Sequence, residues 1–586
     1  MIKLPPNNLW SQVNDSDKFG SLFASFNLDL STNKGLTRVS PRTKITTDDI
    51  TDLGVAVGFA RFNSTSLGFW TVAGSYVFKT TSADPTASFS KDAQSGTPTT
   101  CSSDTSDIIF FKSANKLVVS TQTDVYYNSG SGSWNDITGT PLTSGSPHIF
   151  AEFGSRLYVT EEFKKVYSLD TSMNLTTSGS NSFAIGTYSS GNVGLFITSI
   201  LNDSSGIWIL TATQQYGEVG QIIKWDGATD SVATAKYLLD CGGALTGIVK
   251  DDVLYIITTE GELLYFNGGT FSRVPNGKLP LNPVKFLKNT FSAVNDRWIH
   301  PKHGIIVTNE GKFQILINNE YEDGTFEENL PAGIWEFDLQ NTSQGWTHRN
   351  SISLYTDTVN DYGQETVSRV GGLLYIKTPN KTGTFIAGAQ IYSDATNTKE
   401  VIVTNDTADT IQKYGRLVTS WIWSSQIKDT WNSLYARISR LLDSNDKISV
   451  KYRTRKLSPT TITLTWTANN TFTTTTDISG KEGYEVEIIR GKGSGKTAHI
   501  STITNNAGTY TVVLDDTFNG VSSGTAKARV INFIRASDLT SQTEDYYKFP
   551  IDVTSTKIQL KVCMQFTGEN EVDDFILVNT PHTEAK

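Results

Sequence analysis

The sequence predicts an all-β protein: a β-propeller of about seven blades, followed by a C-terminal β-sandwich that carries an inserted small β-barrel. Three observations predict it. Aromatic residues make up 11% and charged residues only 19%, and Ser, Thr, Asn and Gly crowd the segments between apolar runs, a mixture that suits short strands joined by tight turns. From about residue 46 to 400 one motif recurs, a short apolar strand ending in an aromatic with an Asn or Asp soon after. Towards the C-terminus, long segments alternate apolar and polar residues almost without a break, as sandwich strands with one wet face do.

The chain begins with an arm, residues 1–45. Positions 22, 24, 26, 28 and 30 are apolar and those between them mostly polar, the period of a half-buried strand. This segment is the candidate for completing the last blade, with a separate docking arm as the alternative. Asn33-Lys34-Gly35 then turns the chain, and 36–39 leads to Ser40-Pro41-Arg42.

Residues 46–400 are assigned to the propeller. Its units are Tyr76-Val77-Phe78; Tyr126-Tyr127-Asn128 with Trp134; Val166-Tyr167-Ser168-Leu169-Asp170; Ile223-Lys224-Trp225-Asp226-Gly227; Tyr265-Phe266-Asn267-Gly268 with Phe271; Trp335-Glu336-Phe337-Asp338 with Trp346; and Ile391-Tyr392-Ser393-Asp394. Of the five inner spacings, 42, 56, 41, 71 and 56 residues, two fall within the about 40 to 50 of a four-stranded blade, two exceed it modestly and one is far longer. The widest interval holds Asn318-Asn319-Glu320-Tyr321-Glu322-Asp323-Gly324, a natural insertion site. A lone blade exposes a sheet face and edges, so blades stack radially and ring closure removes the weak ends. An open array or a pair of sandwiches is the plainer alternative.

Residues 401–458 and 534–586 form the sandwich, on the alternation of 448–453 and 558–566. Trp421-Ile422-Trp423 through Leu442 also fits helical spacing at Trp431, Tyr435 and Ile438, and strands are the preferred reading. Between the sandwich segments, 459–533 offers five strand candidates, 461–466, 484–490, 497–503, 510–514 and 526–531, and reads as the inserted barrel.

Composition narrows the function. At 586 residues the chain needs more than one core. A net charge of −9 and the lack of a basic stripe argue against sequence-specific nucleic-acid binding. Cys101, Cys241 and Cys563 lie too far apart in sequence to suggest a disulfide framework or a metal knuckle. No secretory signal and no long apolar run is visible, so the expectation is a cytoplasmically made chain without a transmembrane segment.

Several local patterns are weighed and set aside. Arg490-Gly491-Lys492-Gly493-Ser494-Gly495-Lys496-Thr497 resembles a phosphate loop, but the first Gly is replaced by Arg490 and a strand, not a helix, follows. Gly520-Val521-Ser522-Ser523-Gly524 matches a serine-hydrolase elbow string, again before a strand. His300-Pro301-Lys302-His303 offers two imidazoles where zinc needs three or four ligands, and His148, His348, His499 and His582 are scattered. Acidic patches at Glu320, Glu322, Asp323, Glu327 and Glu328, and at Glu569, Glu571, Asp573 and Asp574, lack EF-hand spacing and read as solvated loops rather than calcium sites. Ser129-Gly130-Ser131-Gly132-Ser133-Trp134 lacks the Asp of a sialidase turn. Trp134, Trp225 and Trp346 suit packing between blades better than sugar contact. No catalytic, cofactor-binding or metal-binding residue is assigned, and no enzyme activity is expected.

Taken with Asn27-Leu28-Asp29-Leu30 through Gly35-Leu36-Thr37-Arg38-Val39-Ser40-Pro41-Arg42, the degenerate blades, and Gly415-Arg416-Leu417-Val418-Thr419-Ser420-Trp421 ahead of Ile448-Ser449-Val450-Lys451-Tyr452-Arg453-Thr454, the chain resembles the β-propeller tail proteins of tailed bacteriophages, of the nozzle and hub type. The resemblance implies a virion tail protein assembled in the host cytoplasm, a homo-oligomeric ring extending the DNA exit channel, six-fold by analogy with nozzle proteins. Its partners would be the tail hub, adaptor or fibres, with only passive contact to exiting DNA. The alternatives are a receptor-binding or fibre-attachment protein contacting host glycans, and a propeller-fold glycosidase.

Overall fold

The computed structural model describes residues 2–4, 10–11, 21–26, 28–29, 37–38, 42–44, 56–63, 67–80, 89–102, 105–130, 132–137, 142–185, 195–213, 219–279, 302–308, 310–317, 333–342, 345–350, 353–355, 364–378, 381–392, 397–404, 414–419, 421–424, 429–438, 447–455, 457–491, 493, 497–518, 521–539, 546–565 and 572–581. Among them the elements are strands, apart from one short 3-10 turn at Lys112–Ala114.

Six antiparallel sheets follow one another along the chain, with first strands Ala56–Asn63, Ile108–Phe111, Phe150–Phe153, Phe196–Asp203, Ala244–Lys250 and Ile305–Val307. In each, consecutive strands pair as a meander. A seventh sheet is built from Ser353–Tyr355, Gln364–Thr378, Lys381–Tyr392 and Asn397–Thr404, paired in that order and closed on itself by Arg42–Lys44. The first strands touch in chain order, and Gln364–Thr378 touches both Ile305–Val307 and Ala56–Asn63. The ring is therefore closed, and the main body is a seven-bladed propeller.

Packing between blades stabilises the ring. Phe111, Val118 and Val125 of blade 2 share a core with Phe150, Leu157 and Val159 of blade 3. Ile149 and Tyr158 of blade 3 pack with Ile207, Ile223 and Trp225 of blade 4. Interdigitation of this kind takes the apolar faces of neighbouring blades out of water.

The recurring aromatic-plus-Asx motif marks the third strand of blades 2 to 6. Asn128, Asp170, Asp226, Asn267 and Asp338 each accept backbone N–H bonds from residues two to four positions on: Gly130, Ser172 and Asn174, Ala228 and Thr229, Gly269 and Thr270, and Gln340. The side chain mimics a backbone turn and delivers the chain to the next strand. In the seventh unit Ile391-Tyr392 closes Lys381–Tyr392, which follows Ser353–Tyr355 and Gln364–Thr378 in its sheet.

The N-terminal arm departs from expectation. Ser21–Phe26, expected to complete the last blade, pairs instead with Tyr414–Thr419 of the sandwich. It is Arg42–Lys44 that joins the seventh sheet, antiparallel to Asn397–Thr404, with one parallel pair to Ser353–Tyr355. Alternation marks a half-buried strand but does not say which sheet it borders.

The sandwich has two sheets. One is Ile2–Leu4, Val572–Pro581, Asp429–Ile438 and Tyr546–Ser555; the other is Trp10–Ser11, Ser21–Phe26, Tyr414–Thr419, Lys557–Gln565, Lys447–Arg453 and Ile534–Leu539. Trp431, Leu434 and Phe549 of the first face Ile448, Val450, Leu560 and Val562 of the second across one core. The segment from Trp421 is strand at Ile422–Trp423 and again at Asp429–Ile438.

Between Lys447–Arg453 and Ile534–Leu539 the chain makes a closed six-stranded barrel. Its sixth strand, Thr471–Thr474, is the one the sequence reading missed. The barrel has its own core around Trp466, which meets Phe472 at 5.6 Å and Phe518 at 5.5 Å between ring centroids.

Candidate functional site

The patterns singled out in the sequence are connections. Strands Glu485–Gly491 and Thr497–Asn506 are antiparallel neighbours, so the phosphate-loop-like string between them joins a hairpin; Lys492, Ser494, Gly495 and Lys496 lie outside the described residues. In the hydrolase-like string, Val521 is buried while Ser522 and Ser523 are exposed ahead of strand Gly524–Ile531, and Gly520 is not described. The loop 318–324, the acidic residues Glu320, Glu322, Asp323, Glu327, Glu328, Glu569 and Glu571, and His300, Pro301, Ser131 and His582 also lie outside the described residues. Trp134, Trp225 and Trp346 are buried, and their indole N–H groups donate to Asp92, to the Thr229 carbonyl and to the Gly277 carbonyl. They are packing residues. Cys101, Cys241 and Cys563 are free thiols, with burial pushing Cys101 up to about 12. Among the described residues no group of His, Cys, Asp and Glu gathers as a metal site, and no helix is long and apolar enough to cross a membrane.

What the structure does bring together is buried charge, in three places. The first joins blades 2, 3 and 6. Asp107, just before the first strand of blade 2, accepts the Ile108 N–H at 2.7 Å and, from blade 3, the Phe150 N–H at 2.9 Å. His303 Nε2 stands 2.6 Å and Lys302 Nζ 3.5 Å from the same carboxylate. Burial pushes the Asp107 carboxyl up, but the Lys302 ammonium and the His303 imidazole outweigh it and hold it below the usual carboxylate range.

The second lies between blades 2 and 3. His148 is fully buried, with Nδ1 2.8 Å from the Thr121 carbonyl and Nε2 3.2 Å from Ser146 Oγ and 3.3 Å from Glu161 Oε2. Ser146 donates to the Thr143 carbonyl, so toward His148 it accepts. Both ring nitrogens therefore face oxygen atoms, those of Thr121 on one side and of Ser146 and Glu161 on the other. This is not a hydrolase triad, in which Ser and carboxylate address opposite ring nitrogens; here both crowd Nε2.

The third joins barrel to sandwich. The polar face of strands Lys447–Arg453 and Lys557–Gln565 is not wet as the alternation implies: Lys451, Arg453, Gln559 and Lys561 are buried, Lys451 and Lys561 against Glu485 of the barrel and Arg453 and Gln559 against each other. Lys451 Nζ meets Glu485 Oε1 at 2.6 Å, Lys561 Nζ meets Glu485 Oε2 at 2.8 Å, and Arg529 meets Glu487 Oε2 at 2.9 Å. Lys447 and Arg535 continue the pattern onto Asp516, Asp538 and Asp515. Burial opposes ionisation of Glu485, yet Lys451 and Lys561 draw its carboxyl down to about 2. His499, facing the same junction, is driven down to about 2 by burial and by the Lys451 charge, and neither of its ring nitrogens has a hydrogen-bond partner.

A smaller device recurs in the blades. Asp92 takes the Trp134 N–H and the Lys79 ammonium, each at 2.7 Å. Asp203 takes the Trp208 N–H at 2.6 Å and the Lys224 ammonium at 2.5 Å, with Lys224 4.3 Å above the Trp208 ring. None of these partnerships was read from the sequence. Many of their members lie far apart along the chain, as Asp107 and His303 do, or, like Glu485-Val486-Glu487, look like an ordinary solvent face.

No family model matches the chain, and no curated protein does. Among solved structures it is similar to a chain of "Crystal Structure of Mitotic Checkpoint Complex", at 11% identity and a TM-score of 0.38, over 64% of this chain and 94% of that one. It is similar to Saccharomyces cerevisiae Sqt1 at 11% identity and a TM-score of 0.35, over 62% and 99%. A third is the BBS1N chain solved in complex with ARL6DN, at 9% identity and a TM-score of 0.34, over 63% and 99%. The architecture itself rests on the strand pairing and ring closure described above.

Proposed function

We propose that this chain is a structural component of a phage virion tail, a nozzle- or hub-like subunit that forms a homo-oligomeric ring around the DNA exit channel and contacts neighbouring tail proteins. The observation that supports this reading is where the charge goes. The ionic clusters at Asp107 and Glu485 are buried between blades or between domains, where they join parts, and buried ion pairs specify geometry more than they add stability. The N-terminal segment that carries the resemblance runs between the strand that joins the sandwich, Ser21–Phe26, and the one that joins the seventh sheet, Arg42–Lys44. A net charge of −9 suits passage of DNA without capture, and a closed ring reuses one pair of surfaces on every subunit.

Native mass measurement and imaging of the purified full chain test this. A symmetric ring with an open central channel is expected; a protein that stays monomeric under virion-like conditions and hydrolyses polysaccharide overturns it.

One observation favours the second reading, contact with host-surface glycans. On the barrel's outward face Thr525, Thr465, Thr473, Thr511 and Thr504 stand side by side across five neighbouring strands, an uncharged hydroxyl row. Retention on a neutral-glycan array, lost in Thr473→Lys, would select that reading.

A further inference from the structure

Blades 2 and 6 are not neighbours. Blades 3, 4 and 5 separate them on one side of the ring, and blades 7 and 1 on the other. Yet His303 and Lys302, in the turn that leads into the first strand of blade 6, reach Asp107 at the start of the first strand of blade 2, across 196 and 195 residues of sequence. A contact that skips two blades crosses the axis. The starts of the inner strands share one mouth of the bore, because Asp107 also receives the Phe150 N–H, which opens the inner strand of blade 3. The backbone joins in: Leu373 of blade 7 donates to the His303 carbonyl at 2.8 Å.

We propose that Asp107, Lys302 and His303 form an axial clasp, a lock that holds blades 2, 3, 6 and 7 together across the mouth of the bore, separate from the lock on the circumference. The circumferential lock is slight, since Arg42–Lys44 contributes three residues to the seventh sheet. The axial one is compact. Its carboxylate is buried while Lys302 and His303 side chains keep 17% exposure, so a fully satisfied anion sits under a lid of two basic side chains. Charge-assisted bonds of this kind are stronger than neutral ones, and removing one partner strands a buried charge. The clasp also caps that mouth. Under the ring reading proposed above, the conduit then runs between subunits and not down the propeller bore.

Hydrogen exchange on the full chain tests the clasp, using Asp107→Asn, His303→Gln, Lys302→Met and the Asp107→Asn/His303→Gln pair. Each single change is expected to raise exchange at least tenfold in Ile305–Val307 and Gln364–Thr378, while Phe196–Asp203, in a blade the clasp does not touch, stays protected. The paired change should add little to the stronger single one, because both break the same contact. Exchange confined to Ile108–Phe111 and Phe150–Phe153, or additive effects, would overturn the clasp and leave Asp107 a local prop between blades 2 and 3. Should Asp107→Asn fail to fold, the partly exposed partners His303 and Lys302 decide on their own. The readout follows a single chain, so it is independent of whether a ring assembles.

Discussion

The most legible residues are those whose job is local. Asn128, Asp170, Asp226, Asn267 and Asp338 are visible as a repeat because each acts on backbone N–H groups a few positions away, and a short-range role leaves a short-range pattern. Asp107 and Glu485 leave none, because what makes them unusual sits on other blades or another domain. His499 shows how such a position shapes pH dependence. Its folded value near 2 lies below the ordinary 6.5, so below about pH 6.5 the unfolded chain binds a proton that the folded chain refuses. Stability contributed by neutral His499 is intact above that pH and falls on acidification. Glu485, drawn from 4.5 to about 2, acts in the same direction but only below about pH 4.5, which leaves the window between to His499. With one pKa unit equal to about 1.4 kcal/mol, going from pH 7 to pH 5 should cost the native chain about 2 kcal/mol more than His499→Met. Denaturant titrations at the two pH values measure this, and equal slopes in the two proteins would refute it.

At the level of elements, strand existence could be read from the sequence but strand partnership could not. The alternation at residues 22–30 identifies a strand, yet its neighbour Tyr414–Thr419 lies far along the chain. The three residues that do join the seventh sheet, Arg42–Lys44, are too few to show a period. Thr471–Thr474 went unread for the same reason, with only Phe472 and Thr474 facing inward. The first 44 residues thus supply an edge to both sandwich sheets and a strand to the seventh blade. The two bodies should share their stability through this arm. Removing residues 1–45 is expected to lower the melting of propeller and sandwich together, on the order of 10 °C, given about 2–4 °C per kcal/mol for bodies of this size. Proteolysis should then open first at Asn397–Thr404, which loses its outer partner. Melting unchanged by the truncation, or a sandwich that loosens while the propeller does not, would show that the arm does not couple them.

For the whole molecule, the barrel is the part whose independence can be argued from its own cohesion. Its strands close on themselves, so it has no unpaired edge to protect. Trp466, Phe472, Phe518, Val486, Ile488 and Val512 form a core that no sandwich residue enters. Its two ends lie together: Thr460 pairs with Val530, and Asn532 donates to the Arg455 carbonyl at 2.7 Å. What binds it to the sandwich is chiefly ionic, Lys451 and Lys561 against Glu485 and Glu487, beside a small apolar contact of Ile531 and Phe533 with Val418. Ionic contacts lose least on separation, because water solvates the freed carboxylates and ammonium groups well, whereas a shared apolar core would leave a wet hydrophobic face. A chain of residues 459–533 is therefore expected to fold alone and melt in one cooperative step, as small closed β-domains can. Its Glu485 carboxyl, without Lys451 and Lys561, should titrate back near the ordinary 4.5, against about 2 in the full chain. Calorimetry of the fragment measures the first expectation and carboxyl-resolved NMR the second. A fragment without a melting transition would mean that the barrel draws its stability from the sandwich, and that the buried charges at the junction support the fold of the barrel as well as its docking.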